Sequence, residues 1–359
     1  MKILFSGGGT LGPVTPLLGV KETIEKNNNF KKLEFLWIGT KTGPEKFFLQ
    51  KINIKFYSIL SAKYRRYFSF WNIIDIFKLK IAFFQSFFIL LKEKPDLCIS
   101  AGGFVSVPVH FSAWLLGIPT WVHQQDYEIG LANKIMKKFS NIITVTLEKH
   151  LKNMPKNKTF WLGNPIRKDI LKGKKEEAIK LFNLKKDLPV IFVTGGGTGS
   201  LRINQMILET VPHLKGLVQI IHLSGRTREK DFLKNTEKLY DFYKVYDFFG
   251  EEMKHAYKIA DIIVSRGGFG TLTEISALQK PAIIIPKPGH QEKNVDFFKK
   301  QNAIISINEN FSNGLNLAQE IKNLLKNSKL KENLAKNLHN ILKIARDEDI
   351  IKILNKLIK

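Results

Sequence analysis

Cysteine is almost absent from this 359-residue chain, with Cys98 the single example. One thiol excludes an internal disulfide and a cysteine-ligated zinc site, and it suits a reducing compartment. Long apolar runs are missing too. No stretch of about 18 uncharged apolar residues occurs, so no transmembrane helix is expected. The opening MKILF is too short for the apolar core of a signal peptide. Acidic residues are scarce: 32 Asp and Glu against 57 Lys and Arg leave a formal charge of +25. That surplus favours anionic partners such as nucleic acid, an acidic membrane face or phosphorylated substrates. A composition rich in Lys, Asn, Ile and Phe scatters the charge, so charge alone selects none of them. Two chemical signatures are also lacking. No Gly-Lys-Ser/Thr closes a glycine loop, which argues against a P-loop hydrolase. No Asp-x-Asp lies at a strand end, and Asp347-Glu348-Asp349 sits in a helical stretch, so no metal site is expected.

What is present is a core-forming chain, 44% hydrophobic and long enough for about two domains. Short apolar runs alternate with segments of helical period, the pattern of βαβ units and parallel sheets. Strands are expected at Lys2–Ser6, Phe35–Ile38, Leu97–Ser100, Thr120–His123, Ile142–Thr146, Val190–Thr194, Gln219–Leu223, Ile262–Ser265 and Ala282–Pro286. Two internal echoes suggest a repeated plan. KILFSGGGT from Lys2 is similar to VIFVTGGGT from Val190, and DLCISAGGF from Asp96 to DIIVSRGGF from Asp261. The expected class is α/β with two Rossmann-like domains, residues 1–162 and 163–335, divided near the turn Gly163-Asn164-Pro165. Residues 336–359 are expected to form a C-terminal helix packing back on the first domain.

Three glycine loops follow strands. Gly7-Gly8-Gly9-Thr10-Leu11-Gly12 satisfies G-x-G-x-x-G, which brings backbone amides and a helix N-terminus to an anion. The second strand, Phe35–Ile38, ends in Gly39-Thr40 rather than an acid, which disfavours NAD. In Gly195–Ser200 a diphosphate finds amides and the hydroxyls of Thr198 and Ser200. In the third loop, Arg266 to Glu274, the Glu274 carboxylate suits a ribose diol, while helix capping is its bland alternative. Finally His290, Gln291 and Asn294 follow a strand, at the carboxyl edge where open α/β sheets bind ligands.

Taken in order, these segments resemble the MurG family of inverting glycosyltransferases. The family's GGTGGH loop with its following proline is similar to Gly8–Pro13 with Pro16. Its GGYxSxP segment is similar to Gly102–Pro108, and its HEQN to His123-Gln124-Gln125-Asp126 with Gly130 and Asn133. GNPxR is reproduced from Gly163 to Arg167, GGSxGA is approximated by Gly195–Ser200, and HQxxN is reproduced by His290, Gln291 and Asn294. The likeness runs from Lys2 to about Ala303.

The resemblance implies a GT-B fold, with two domains facing a central cleft. It implies transfer of N-acetylglucosamine from UDP-N-acetylglucosamine to the 4-hydroxyl of undecaprenyl-pyrophosphoryl-muramoyl-pentapeptide, in peptidoglycan synthesis, with no cofactor. Arg167, Gly197, Gly250, Phe269, Gly270, Thr271, Leu272, Thr273, Glu274 and Gln291 would hold the donor, Glu274 at the ribose and Gln291 at the sugar. Gly9, Thr10, Leu11, Gly12 and Asp126 would meet the acceptor. Three positions depart from the family: Pro13 stands for its histidine, Asp126 for its asparagine and Gly197 for its serine. Rivals are a GT-B enzyme with another lipid acceptor, a UDP-N-acetylglucosamine epimerase, and a basic nucleic-acid-binding protein, the last of which leaves the glycine loops unexplained.

For the base, His123 ends a strand at the sheet edge and Asp126 follows three residues on. Either is a candidate, with His123 equally readable as a buried orienting residue. Residues 71–91 are unusually apolar. Ile73, Phe77, Ile81, Phe84, Phe88 and Leu91 make one helical stripe, enough for burial. Leu79, Phe83 and Phe87 belong to a second. With Lys78, Lys80 and the upstream Tyr64-Arg65-Arg66-Tyr67, that second stripe suits an anionic bilayer. The expected location is peripheral, on the cytoplasmic face of the plasma membrane.

Overall fold

The computed structural model describes residues 1–27, 30, 32–60, 71–197, 199–225 and 231–358, with the side chains of all of these except 51, 71–76 and 290. The chain forms two compact units, Met1–Arg167 together with Lys343–Lys359, and Lys168–Leu342.

The first unit runs β1 (Lys2–Ser6), α1 (Val14–Glu25), β2 (Glu34–Thr40), α2 (Pro44–Lys51), β3 (Lys55–Ile59), α3 (Trp71–Glu93), β4 (Leu97–Ser100), α4 (Ser106–Leu115), β5 (Thr120–Gln124), α5 (Leu131–Met136), β6 (Ile142–Val145) and β7 (Thr159–Trp161). Its seven strands lie in the order β3-β2-β1-β4-β5-β6-β7, every neighbour parallel. Helices cover both faces, so the inner strands are apolar on both sides. All four residues of β4 are buried, and Cys98 among them is a core residue whose thiol burial pushes up in pKa.

The second unit runs α6 (Lys175–Leu181), β8 (Val190–Thr194), α7 (Leu201–Thr210), β9 (Gln219–Leu223), α8 (Asp231–Leu239), β10 (Tyr243–Tyr246), α9 (Glu252–Ile259), β11 (Ile262–Ser265), α10 (Phe269–Ala277), β12 (Ala282–Ile284), α11 (His290–Lys300), β13 (Ile305–Ser306), α12 (Gly314–Lys326) and α13 (Ser328–Ile341). Six parallel strands lie in the order β10-β9-β8-β11-β12-β13.

Strand order reverses between β1 and β4 in one sheet and between β8 and β11 in the other. Chains leaving such a pair diverge to opposite faces and open a crevice at the carboxyl edge. Both sequence echoes fall on these pairs. Their likeness extends to a shared bond: the Lys2 amide donates to Asp96 (2.7 Å) and the Val190 amide to Asp261 (2.8 Å). Each aspartate returns its own amide to the same residue's carbonyl at 2.8 Å.

The C-terminal region differs from a single helix. α13 stays in the second unit, where the Ser276 hydroxyl meets the Leu338 and Leu342 carbonyls. The chain then pairs Ile344 with Asn164 and forms α14 (Asp347–Leu357). Ile350, Ile353, Leu354 and Leu357 join the core of the first unit, and Asp347 accepts from the Thr23 hydroxyl at 2.9 Å. Gly163, at φ +84°, lets the chain pass Lys343, since a Cβ there would come within 2.6 Å of its carbonyl oxygen.

Helix α3 reverses the expected use of its stripes. Phe77, Ile81, Phe84, Phe88 and Leu91 are the exposed ones, Phe84 at 56% and Phe88 at 64%. Phe83 and Phe87 are half-buried, Phe83 with its ring 5.5 Å from Phe111 of α4; Leu79 is exposed. The physical reason is the neighbour. α4 presents Phe111 and Trp114, stacked on one another, and the second stripe of α3 closes on that side. Tyr64-Arg65-Arg66-Tyr67 lies outside the described residues.

Candidate functional site

In the first unit the chain leaves β1 through Gly7–Pro13 and β4 through Ala101–Val105. Gly9, Gly102 and Gly103 all take positive φ, and a Cβ on Gly103 would sit 3.4 Å from the Gly8 carbonyl oxygen, so the two loops touch. The Ser106 hydroxyl lies 2.9 Å from the carbonyls of both Ser6 and Gly102 and joins the strand ends. Gly9 and Thr10 are exposed, whereas Leu11 packs partly against the core. Gly12 accepts from the Gln125 side chain at 3.0 Å, tying the loop to the end of β5 beside half-buried Asp126. Among the described residues the amides of Thr10, Leu11 and Gly12 have no acceptor. Three successive free N–H groups before a helix make an anion-binding concavity.

His123 sits differently from a base at a cleft. It is 2% exposed. Its Nε2 lies 2.9 Å from the Asn164 side-chain oxygen and 3.1 Å from the Thr146 hydroxyl, and its Nδ1 2.9 Å from the Thr144 hydroxyl. Thr144 already accepts from the Trp121 indole at 2.8 Å. That leaves its hydroxyl hydrogen to donate to Nδ1, while Nε2–H donates to Asn164. Burial, countered in part by Asn164 and reinforced by His150, lowers the pKa to about 4. The buried ring is neutral and joins the ends of β5 and β6 to Asn164, next to Asp126.

In the second unit, β8 enters the loop Gly195–Ser200. Gly196 and Gly199 take positive φ, and a Cβ on Gly199 would overlap the Ser224 carbonyl. Ser200 caps α7 by accepting from the Ile203 amide at 3.3 Å. The same hydroxyl oxygen accepts from Arg266 Nε at 3.0 Å and Nη2 at 2.7 Å. Arg266 also donates to the Ile285 carbonyl at 3.1 Å and pairs with Glu309. It therefore ties the second glycine loop to the β12 edge and the segment before α12. Sequence reasoning passed over it; the available signal was an arginine directly before the glycine pair Gly267-Gly268 at a strand end. Thr198 lies outside the described residues, and Gly197 is exposed.

The run at the start of α10 divides between roles. Gly270 and Thr271 are half-buried at the helix N-terminus. Phe269 instead packs its ring 5.6 Å from that of Phe298, tilted at 52°, Leu272 is wholly buried, and the Thr273 hydroxyl donates to the Phe269 carbonyl at 2.7 Å. The face of the helix carrying Leu272 is the one turned to the core. Glu274 is the sixth residue of α10, past the turn where the helix dipole acts, so N-terminal capping does not account for it. The Tyr257 hydroxyl donates to its Oε2 at 3.0 Å. Gln291 places Nε2 4.0 Å from the Cβ position of Gly268 and accepts from the Lys287 amide at 2.9 Å, which sets it against the same loop. Asn294 is buried, and the side chain of His290 lies outside the described ones. The Gly250 amide donates to Glu252 at 2.7 Å. Arg167 closes the first unit, its guanidinium 5.8 Å from the ring centre of Phe48. Among the described residues there is no cluster of three His, Cys, Asp or Glu fit to hold a metal.

Comparison with known proteins agrees with this layout. The family model of the glycosyltransferase family 28 N-terminal domain matches residues 3–145, and that of the family 28 C-terminal domain matches residues 190–353. A Clostridium perfringens protein named UDP-N-acetylglucosamine–N-acetylmuramyl-(pentapeptide) pyrophosphoryl-undecaprenol N-acetylglucosamine transferase is 38% identical over 331 residues, covering 91% of this chain and 90% of its own. The crystal structure of MurG from Acinetobacter baumannii shares the fold at a TM-score of 0.71, with 22% identity and 99% of both chains covered. A UDP-GlcNAc 2-epimerase from Neisseria meningitidis also shares it, at a TM-score of 0.68 and 16% identity over 99% of this chain and 100% of that one. With two Rossmann-like domains of the GT-B type and motifs placed at both switch points, the chain belongs to glycosyltransferase family 28, in the MurG family.

Proposed function

We propose that this chain moves N-acetylglucosamine from UDP-N-acetylglucosamine to the muramoyl sugar of undecaprenyl-pyrophosphoryl-muramoyl-pentapeptide, with inversion at the transferred carbon. The observation that carries the reading is the 38% identity, over nine-tenths of the chain, to a transferase named for that reaction; the epimerase likeness is one of fold alone.

The second unit supports the donor. The N-termini of α7 and α10, each entered through a glycine loop, offer partial positive charge to the diphosphate, which gains charge as the sugar leaves. Glu274, held by Tyr257, accepts from the ribose hydroxyls, and Gln291 with His290 and Asn294 meets the sugar. Gly250 and Gly197 complete the donor contacts of this unit. In the first unit the free amides of Thr10, Leu11 and Gly12 meet the lipid pyrophosphate. Asp126 takes the proton of the attacking hydroxyl as the new glycosidic bond forms and the bond to UDP breaks. His123 orients the strand end and moves no proton.

No helix among the described residues is long and apolar enough to cross a membrane. A lipid-linked acceptor is reached instead from the bilayer surface, through the exposed stripe of α3 with Trp114 and Leu115 of α4. Exposed Lys80, Lys134 and Lys138 face the anionic headgroups of the cytoplasmic leaflet.

The test is radiolabelled sugar transfer from UDP-N-acetylglucosamine to the lipid-linked muramoyl-pentapeptide, with UDP titrated by calorimetry. Glu274→Gln is expected to weaken UDP binding roughly 10- to 100-fold, as a charge-assisted hydrogen bond of about 1.5–3 kcal/mol is lost. Release of free sugar or an epimer without transfer, or wild-type UDP affinity in the variant, refutes the assignment.

A further inference from the structure

Beneath the first glycine loop lies a carboxylate that the reaction scheme above does not use. Glu45, in the first turn of α2, has no exposed surface. Its Oε2 accepts from the Gly9 amide at 3.1 Å. Its Oε1 accepts from the Thr40 amide at 2.8 Å and the Thr40 hydroxyl at 2.5 Å. Thr40 in turn accepts from the Gly43 amide at 3.0 Å through that hydroxyl. The carboxylate thereby joins three segments: the loop after β1, the end of β2 and the start of α2.

The surrounding glycines make room for it. A Cβ on Gly8 or on Gly43 would overlap the carboxylate, and one on Gly39 would press on its Cγ at 3.2 Å. Gly8 and Gly43 are thus small for the sake of one acid, while Gly39 makes room first for the Phe56 ring at 2.9 Å. Gly8 belongs to a motif that reads as phosphate-binding, yet here its missing side chain is filled from within. A buried carboxylate is tolerated when it is fully hydrogen-bonded, and truncating such a group leaves its donors stranded.

Hydrogen-bond accounting then assigns the loop. The Gly9 amide is consumed inward by Glu45, while those of Thr10, Leu11 and Gly12 have no acceptor among the described residues. Fixing Gly9, at φ +82°, fixes the peptide planes that follow it. We propose that Glu45 is a positioning residue for the acceptor: it selects which amides of the first glycine loop face the lipid pyrophosphate, without touching that group itself. This rests on the transfer reaction proposed above.

Glu45→Gln tests it. The amide keeps the size of the acid but turns an NH2 toward either Gly9 or Thr40, both of which donate, so one anchor is lost. Kinetics are measured with the full chain, varying the lipid acceptor and UDP-N-acetylglucosamine separately, alongside the melting temperature. The acceptor KM is expected to rise at least tenfold, with donor KM within twofold and melting little changed. Should Glu45→Gln fail to fold, Thr40→Val, which deletes one donor to the carboxylate together with the acceptor of the Gly43 amide and leaves the carboxylate, is read in the same assay and is expected to raise the acceptor KM severalfold. A wild-type chain that transfers no sugar overturns the functional reading. A wild-type chain that transfers sugar, with variant acceptor KM unchanged or with both KM values rising together as melting falls, overturns the role of Glu45 alone.

Discussion

Replacing Phe84 and Phe88 together by glutamate tests how this chain reaches a lipid-bound sugar. The two rings are 56% and 64% exposed, and a phenylalanine buries roughly 200 Å² when fully covered. About 240 Å² of aromatic surface therefore faces outward from these two positions, worth about 6 kcal/mol at 25 cal/mol per Å² if wholly withdrawn from water. An interfacial helix sinks only part of its apolar face. Halving the figure leaves about 3 kcal/mol, on the order of a 100-fold loss in partitioning. The assay is co-sedimentation with vesicles containing anionic lipid, and the melting temperature serves as the control. Because both side chains are already wet, the substitution is expected to move stability by no more than about 0.5 kcal/mol. Phe83→Glu with Phe87→Glu behaves in the opposite way: it charges rings packed between α3 and α4 and lowers stability by several kcal/mol. A folded Phe84→Glu/Phe88→Glu variant that pellets with vesicles like the wild type refutes the reasoning, whatever the second pair does.

Other outcomes follow from the same geometry. Asp126→Asn is expected to lower kcat about 10²- to 10⁴-fold, with UDP affinity unchanged. His123→Gln is expected to keep the pH–rate profile and lose stability, because its buried partners are left without a match; a profile that loses its acidic limb in the histidine variant instead exchanges the two roles. Burial holds His123 at about 4 and His110 and His222 at about 3, all below the ordinary value. The folded units therefore keep these rings neutral while unfolded chains protonate them below about pH 6.5. Stability is full above that pH and falls from about 6.5 down to about 4 for His123 and about 3 for His110 and His222, by up to about 2 kcal/mol per ring at pH 5. Glu93, lowered to about 2 by Tyr57 and then Lys55, works in the other window. Its contribution is present above about pH 4.5 and is lost as pH falls toward 2. Equal denaturant midpoints at pH 5 and pH 7.5 contradict the histidine account.

The strands that composition revealed and those it did not are separated by position in the sheet. β1, β4, β8, β9 and β11 are almost wholly buried and mostly apolar, with His222 the polar exception inside β9, because helices cover both faces, and their bounds were legible to the residue. The strands that escaped notice, β3, β7, β10 and β13, are the four sheet edges. KFYSI, TFW and YKVY carry lysine or half-exposed aromatics since only one neighbour pairs with them. In α3 both stripes are apolar, and periodicity alone does not say which one meets a partner. Phe111 and Trp114, some thirty residues on, decided it. The same distance hid the state of His123, whose partners Thr144, Thr146 and Asn164 lie 21, 23 and 41 residues away.

Glycine loops were the most legible part of the site, but the reason for each glycine was not. In the second unit, Gly199 is small because the Ser224 carbonyl crosses it, and the cross-link beneath the loop is Arg266, which donates to a side-chain oxygen of Ser200 and uses none of the loop's amides. In the first unit, Gly8 is small because Glu45 fills its place, and that cross-link consumes the Gly9 amide. One repeated plan, anchored by the matching Asp96 and Asp261 bonds, has therefore been supported from below in two chemically opposite ways. Arg266 itself takes none of the loop's N–H groups, although the Gly196 amide donates to the Thr194 hydroxyl and the Gly199 amide to the Gly196 carbonyl, and its positive charge suits a nucleotide diphosphate that gains charge on leaving. A carboxylate takes up one N–H and, by fixing that peptide, sets which of the following N–H groups face the acceptor pyrophosphate.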